Sequence, residues 1–238
     1  MKLSINIDHI ATLRNARGGV EPNPILASQI AERAGADGIV CHLREDRRHI
    51  RDKDVQRLRA SITTKLDLEM SAVPEIVAVA KRIKPELVTL VPERREELTT
   101  EGGLDVARLR RSLSRTIEEL HGKNILVSLF VDPLKAQIDI AKEIGADMIE
   151  LHTGEYADAT TALQRERHLR KIKAMALYGK KIGLTVNAGH GLNYENIQPI
   201  MEISEIEEVS IGHAVVARAM WVGLENAVKE MADLVKGG

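Results

Sequence analysis

Residues 35–50 read GADGIVCHLREDRRHI. Gly35-Ala36-Asp37 has the composition of a tight turn, and the next five residues are a nearly unbroken apolar run of strand length. From His42 to His49 seven of the eight positions are ionisable. A short apolar run without two-residue alternation predicts a strand covered on both faces, as in a parallel sheet sheathed by helices. The sudden charge then marks the point where that strand leaves the core. Two joints share this grammar: ERAGADGIVCH (32–42) and KEIGADMIELH (142–152) both run from a helix end through Gly-Ala-Asp into an apolar strand that ends in histidine. Equal geometry at the two joints is the inference; half-barrel duplication and convergence of such turns are both compatible with it.

Working outward, eight such strand-like runs occur: LSINID (3–8), GIVCHL (38–43), KLDLEM (65–70), LVTLVP (87–92), ILVSLFVD (125–132), MIELHTG (148–154), IGLTVNAG (182–189) and EVSIGHA (208–214). Their starts lie 22 to 38 residues apart, which leaves room for a helix between each pair. The intervening segments carry helix signals. PILASQIAERAG (24–35) gathers Ile25, Ala27, Ile30, Ala31 and Ala34 near one face and stops at Gly35. VPEIVAVAKRI (73–83) starts at Pro74 and ends in basic residues that suit the negative end of the helix dipole. In DPLKAQIDIAKEIGAD (132–147) we expect Asp132 as the cap, Pro133 in the first turn and Gly145 at the stop. Strict alternation implies parallel strands with right-handed crossovers. No Pro/Ser/Gly-rich linker divides the chain, and no Gly-rich dinucleotide turn suggests an open doubly wound sheet. The expectation is one α/β domain over residues 1–238, a (β/α)8 TIM barrel with extra helices.

Composition bounds the function. The chain has 34 basic and 35 acidic side chains in 238 residues, a formal net charge of −1, so no overall field attracts nucleic acid or an anionic membrane. Aromatic residues are 2%, too few for base-stacking platforms, and RLRRSLSR (108–115) reads as the solvated face of a helix. No stretch approaches the roughly 18 apolar residues of a membrane span, and the N-terminal residues do not resemble a signal peptide. A lone cysteine, Cys41, suits a reducing cytoplasm and reads as a buried, inert thiol. Trp221 beside Met220 reads as core or subunit contact.

In such a barrel, catalytic groups project from the C-terminal strand ends. The expected ends carry Asp8-His9, His42 and Arg44, Glu69, Pro92-Glu93, Asp132, Glu150 and His152, Asn187 with His190, and Gly212-His213. Six of the eight histidines, His9, His42, His49, His152, His190 and His213, fall at or just past these ends; His121 and His168 fall on helices and read as surface residues. Imidazoles titrate near neutrality, and burial raises a glutamate toward the same range, so this rim suits multi-step proton transfer. No H-x-H or H-E-x-x-H pair is present, and metal ligands would have to come from separate strands, so no metal is expected. Lys65 opens its strand rather than closing it, which disfavours a lysine Schiff base.

Arginines near the rim, Arg14, Arg17, Arg44 and Arg47, point to an anionic substrate, because guanidinium groups match phosphate or carboxylate in a bidentate fashion. The turns TTEGG (99–103), NAGHG (187–191) and IGHA (211–214) add backbone N–H groups. Two anion sites are expected, one near strands 7 and 8, the other near strands 2 and 4.

The stretches NIDHIATLRNARGG, HLREDRRHI, LEM, LVPERREELTTEGGLD, IELHTGEYA, VNAGHGLNYEN and IGHAVVARA together resemble the pyridoxine 5′-phosphate synthase family, in its order and spacing and over essentially the whole chain. The resemblance implies a cytoplasmic homo-octamer built from dimers that works without metal or organic cofactor. It implies condensation of 3-amino-2-oxopropyl phosphate with 1-deoxy-D-xylulose 5-phosphate to pyridoxine 5′-phosphate, releasing phosphate and water. On matching positions His42 and Glu69 become proton acceptors, His190 the proton donor and Glu150 a stabiliser of transition-state charge. Asn6, Arg17, Gly191, Gly212 and His213 are implied to hold the amino-ketone phosphate, with Arg17 reaching across a subunit boundary. Asp8, His9, Arg44, His49 and Thr99, which Thr100 adjoins, are implied to hold the deoxyxylulose phosphate. The alternatives are a phosphosugar epimerase or isomerase on the same barrel, which needs one phosphate site, and a non-catalytic phosphometabolite-binding protein, which needs few histidines.

Overall fold

The computed structural model describes residues 1–93 and 102–237. In chain order they form β1 (Lys2–Asn6), α1 (Asp8–Arg17), α2 (Pro24–Arg33), β2 (Gly38–His42), α3 (Asp52–Ser61), β3 (Lys65–Met70), α4 (Pro74–Ile83) and β4 (Leu87–Leu90). There follow α5 (Val106–His121), β5 (Leu126–Val131), α6 (Lys135–Glu143), β6 (Met148–His152), α7 (Gly154–Ala157), α8 (Ala162–Lys181), β7 (Thr185–Gly189), α9 (Gln198–Met201), β8 (Ile206–Ile211), α10 (His213–Val222) and α11 (Leu224–Lys236). Each strand pairs in parallel with the next, and β8 closes on β1, giving a (β/α)8 barrel. No helix among the described residues is long and apolar enough to cross a membrane.

The two Gly-Ala-Asp joints have the same construction. Gly35 and Gly145 take φ of 107° and 90°, a region that costs glycine little, and so end their helices. The aspartate that follows then ties the turn to the neighbouring strand. Asp37 Oδ2 accepts from the N–H of Leu3 at 2.9 Å, and Asp147 Oδ2 from the N–H of Val127 at 2.8 Å. Each carboxylate satisfies the first free donor of a strand beside it, which is why the turn ends in aspartate.

Alternation divides each strand between two environments. One set, including Leu3, Ile5, Ile39, Cys41, Leu68, Val127, Leu129, Ile149, Leu151 and Val209, is fully buried in the apolar layer under the helices. Cys41 sits there with its thiol pushed up by burial, as an inert residue would. The other set faces the barrel interior and, apart from a few residues such as Val40 and Phe130, is polar, where barrels of this kind are usually filled by branched apolar side chains. Lys65 Nζ meets Glu208 Oε1 at 2.5 Å, and Ser4 donates to the same oxygen at 2.8 Å. Thr89 donates to Asp67 at 2.9 Å. Burial chiefly, with Glu208 adding to it against Lys65, pushes Asp67 up to about 6.

Three expectations change. Asp8 and His9 do not close β1; they open α1, where Asn6 Oδ1 accepts from the N–H of Asp8 at 2.9 Å. Asp132 is not the cap of α6, which begins at Lys135 after Leu134. Its carboxylate instead accepts from the N–H of Gly103 and meets the His152 ring, because the mouth offers it a backbone N–H and an imidazole nitrogen together. Trp221, read as core or subunit contact, keeps only the second reading: it is 85% exposed on α10.

Breaking the Lys65–Glu208 pair leaves a nearly buried carboxylate uncompensated. Lys65→Met is expected to destabilise the fold by about 3 kcal/mol in urea denaturation, and adding Glu208→Gln to recover part of that loss.

Candidate active site

All but two of the residues expected at the site line one cavity of about 750 Å³ at the C-terminal end of the barrel. Asn6 comes from β1, Asp8 and His9 from the first turn of α1, and His42 from the end of β2. Arg44 and His49 come from the loop after β2, and Glu69 and Glu150 from inward positions of β3 and β6. His190 and Gly191 follow β7; Gly212 and His213 join β8 to α10. Arg17 is the exception among described residues. It ends α1, exposed, outside that lining. Thr99 lies outside the described residues.

Glu69 and Glu150 share the upper interior. Asn6 Nδ2 donates to Glu69 Oε2 at 3.4 Å. A Cβ on Gly189 would overlap Glu150 Oε1, so glycine there is what admits the carboxylate. Burial chiefly, then repulsion from Glu150, Asp8 and Asp67, drives Glu69 well above the usual carboxylate range. Burial, then Asp67 and Glu208, pushes Glu150 up to about 8, with Lys65 opposing. Two carboxylates in one enclosure cannot both ionise cheaply, so the pair holds a proton at neutral pH.

The imidazoles move the other way. Burial lowers His9, His49 and His190, with Asp8 opposing it at His9 and His49. The N–H of Ile50 donates to His49 Nδ1 at 2.9 Å, which assigns the proton of the neutral ring to Nε2. His9 and His213 meet edge to face at 5.2 Å. His42 takes its backbone position from Asp8, whose Oδ1 accepts its N–H at 2.9 Å, and its ring position from Glu93, whose Oε1 lies 2.9 Å from Nε2. His190 has φ of 82° and Gly191 of 75°. A histidine in that region is strained, and such strain collects at functional sites. Asp8, His42 and His49 bring donor atoms within 4.8 Å of one another, a spacing that fits a divalent cation. All three already have the partners just described.

Anion-binding elements sit at two places. His213 starts α10, so the free N–H groups of a ten-residue helix face the cavity beside Gly212. Across the mouth, Arg44 is buried with its Nε 3.5 Å from Asp46. Two other arginines named above are taken up elsewhere. Arg14 forms a bidentate pair with Asp54 at 2.8 and 2.9 Å, and Arg47 pairs with Asp52 and Glu75.

Reading the sequence assigned no role to Glu93 or to the pair formed by His152 and Asp132. Glu93 was placed at the rim, but His42 is 51 residues away and no spacing rule joins them. Burial works against its charge, yet the hydrogen bonds with His42 and from the N–H of Glu45 bring its proton affinity below normal. A carboxylate so held orients an imidazole for general base work.

Comparison with known proteins shows the family of the chain. The family described as pyridoxal phosphate biosynthesis protein PdxJ matches residues 3–237. A pyridoxine 5′-phosphate synthase of Chlorobium phaeobacteroides is 58% identical over 236 residues, covering 99% of this chain and 100% of the relative. That of Geobacter metallireducens is 52% identical, covering 99% and 98%. Among solved structures, phosphoribosylanthranilate isomerase of Thermotoga maritima superposes with a TM-score of 0.62 at 15% identity, over 100% of both chains. The Pyrococcus furiosus isomerase gives 0.64 at 16%, again over 100% of both. At such identity the two isomerases share the fold alone.

The raised Glu150 carboxyl has a signed consequence. Its folded proton affinity exceeds its unfolded one, so its contribution to stability is complete below the ordinary glutamate range and is lost as pH rises toward about 8. The difference in melting temperature between Glu150→Gln and the unsubstituted protein should therefore grow in the variant's favour from pH 5 to about 8 and level off above. A difference that stays constant with pH would contradict the assignment.

Proposed function

The chain belongs to the PdxJ family of pyridoxal phosphate biosynthesis proteins, and we propose on that footing that it closes the pyridine ring of pyridoxine 5′-phosphate. Its substrates in this reading are 3-amino-2-oxopropyl phosphate and 1-deoxy-D-xylulose 5-phosphate, with phosphate and water released. The observation that carries the reading is the convergence of His42, Glu69, Glu150 and His190 on one cavity flanked by two anion-binding places.

The amine of the amino-ketone adds to the sugar ketone and water leaves, giving an imine. Proton removal beside the imine gives an enamine, phosphate is eliminated, and an aldol-type closure with a further dehydration yields the ring. His42, held by Glu93, and Glu69 accept the protons. Glu69 is a stronger base than an ordinary carboxylate because burial and its acidic neighbours raise its proton affinity, and the positive charge of the arriving amine favours its ionised form. His190, whose proton affinity is lowered, is the stronger acid and donates to the leaving oxygen. Glu150 stabilises charge in the transition state. Acid–base groups of this kind contribute about 10²–10⁴-fold each, and holding two substrates in reacting geometry supplies much of the rest.

Asn6, Gly191, Gly212 and His213 hold the amino-ketone phosphate at the start of α10, and Asp8, His9, Arg44, His49 and Thr99 hold the deoxyxylulose phosphate. Arg17 completes the first site in a neighbouring subunit, which agrees with its place outside the cavity of its own chain. The scheme uses no metal or organic cofactor. The assembly is a cytoplasmic homo-octamer of single-domain barrels. Its support is an apolar surface on helices that pack together: Leu13 of α1, Leu26 of α2, and Met220 and Trp221 of α10 are all exposed.

Incubation with both substrates should produce the absorbance of a new pyridine ring. His42→Ala should cut turnover by about 10²–10⁴-fold with the fold intact, and Glu69→Gln should do the same while leaving phosphate binding largely unchanged. Two phosphates bound per subunit at saturation separate this reaction from a phosphosugar isomerase, which takes one. Trp221→Lys should shrink the assembly in analytical ultracentrifugation and lower activity with it, since each site then loses Arg17 of its neighbour.

A further inference from the structure

His152 and Asp132 form an ionisable pair at the mouth that the scheme above leaves unused. We propose that they act as a positioning pair for His190, holding its ring in the orientation from which it donates a proton during ring closure. The inference rests on the reading of His190 as the proton donor.

The strand register places the two imidazoles together. His152 ends β6 opposite Gly189 of β7, the residue before His190. The rings meet edge to face, 5.4 Å between centres and 66° between planes. His152 is 7% exposed and stands behind the cavity wall, with Phe130 at 5.2 Å. Its Nδ1 lies 3.1 Å from Asp132 Oδ1. The carboxylate accepts only, so Nδ1 carries the proton and the tautomer is set. The same oxygen accepts from the N–H of Gly103 at 3.0 Å, which holds the carboxylate from a second side. That hydrogen bond to His152, against burial, keeps Asp132 below the usual carboxylate range.

Three successive residues serve His190. His152 supports its ring. Thr153 holds its backbone, since Oγ1 lies 2.6 Å from the carbonyl oxygens of both Gly189 and His190. Gly154 makes the room, because a Cβ there would collide with the His152 ring. A residue at positive φ needs such bracing, since its own backbone does not favour the conformation. Among the described residues, ionisable groups that act on His190 include His152 from β6, Asp158 beyond α7 and His9 from α1. Burial and His152 lower its proton affinity, and Asp158 opposes them.

His152→Asn tests the pair, because it keeps a donor toward Asp132 and removes the ring beside His190. Turnover should fall about 10- to 100-fold, less than full loss of a general acid, with KM little changed. The titration midpoint of His190, followed by NMR on isotope-labelled histidine, should rise, and the alkaline limb of the kcat profile should move up with it. Asp132→Asn, at a partly exposed side chain, should lower kcat in the same way, and Gly154→Ala should copy it by displacing the His152 ring. Unchanged turnover in His152→Asn, or a lowered melting temperature with the His190 titration and the pH profile unmoved, would overturn the proposal. So would unfolding of both His152→Asn and Asp132→Asn, since the pair would then be holding the barrel. An unsubstituted protein that forms no pyridine ring refutes the reaction instead, and the NMR titration then still decides whether His152 governs His190.

Discussion

Alternation inside a closed sheet is the constraint on which the rest of the molecule depends. Once β8 pairs with β1, every second side chain of each strand faces an interior with little access to water. In this chain those positions carry Lys65, Asp67, Glu69, Glu150 and Glu208, so the enclosure acts directly on proton affinities. It raises the carboxyls and, at the rim, lowers His9, His49 and His190. Acids and bases that lie far apart in water are brought toward the same range, where proton transfer in either direction meets small barriers.

Enclosure alone does not aim a side chain; the loops do that. His42 is held by Glu93, His49 by the N–H of Ile50 and His152 by Asp132. Each imidazole is therefore tied to a specific acceptor or donor rather than left to rotate in a polar mouth. Glycine supplies the space in two places, Gly189 beside Glu150 and Gly154 beside His152, where any side chain would displace the carboxylate or the imidazole. The charged burst after β2 divides in the same way. Arg47 is drawn away to Asp52 and Glu75 in the first turns of α3 and α4, while Arg44, Arg48 and His49 reach the cavity.

Much of this was legible in the residues. The eight strands lie where the apolar runs predicted them, and the helices start and stop near their Pro, Gly and basic signals, because both depend on interactions within a few positions. The rim assignment of six histidines followed from the strand ends, and His9, His42, His49, His190 and His213 line the cavity. The failures share one cause. Asp132 was read as a helix cap because a local partner was in view, whereas its partners are Gly103 and His152. Arg14 was read as an anion contact, whereas Asp54, 40 residues away, takes both its arms. Glu93 was placed correctly at the rim and given no role, since His42 stands on another strand.

The amino-acid sequence by itself determined the order of elements, the parallel closed barrel, and which end of it would be ionisable. Periodicity and turn chemistry are local, and alternation converts them into faces without further information. Only the tertiary structure decided which charged groups are consumed by pairing and which remain turned to the cavity. Ion pairs and pKa shifts depend on separation and burial across strands far apart in the chain, and barrel closure sets those distances.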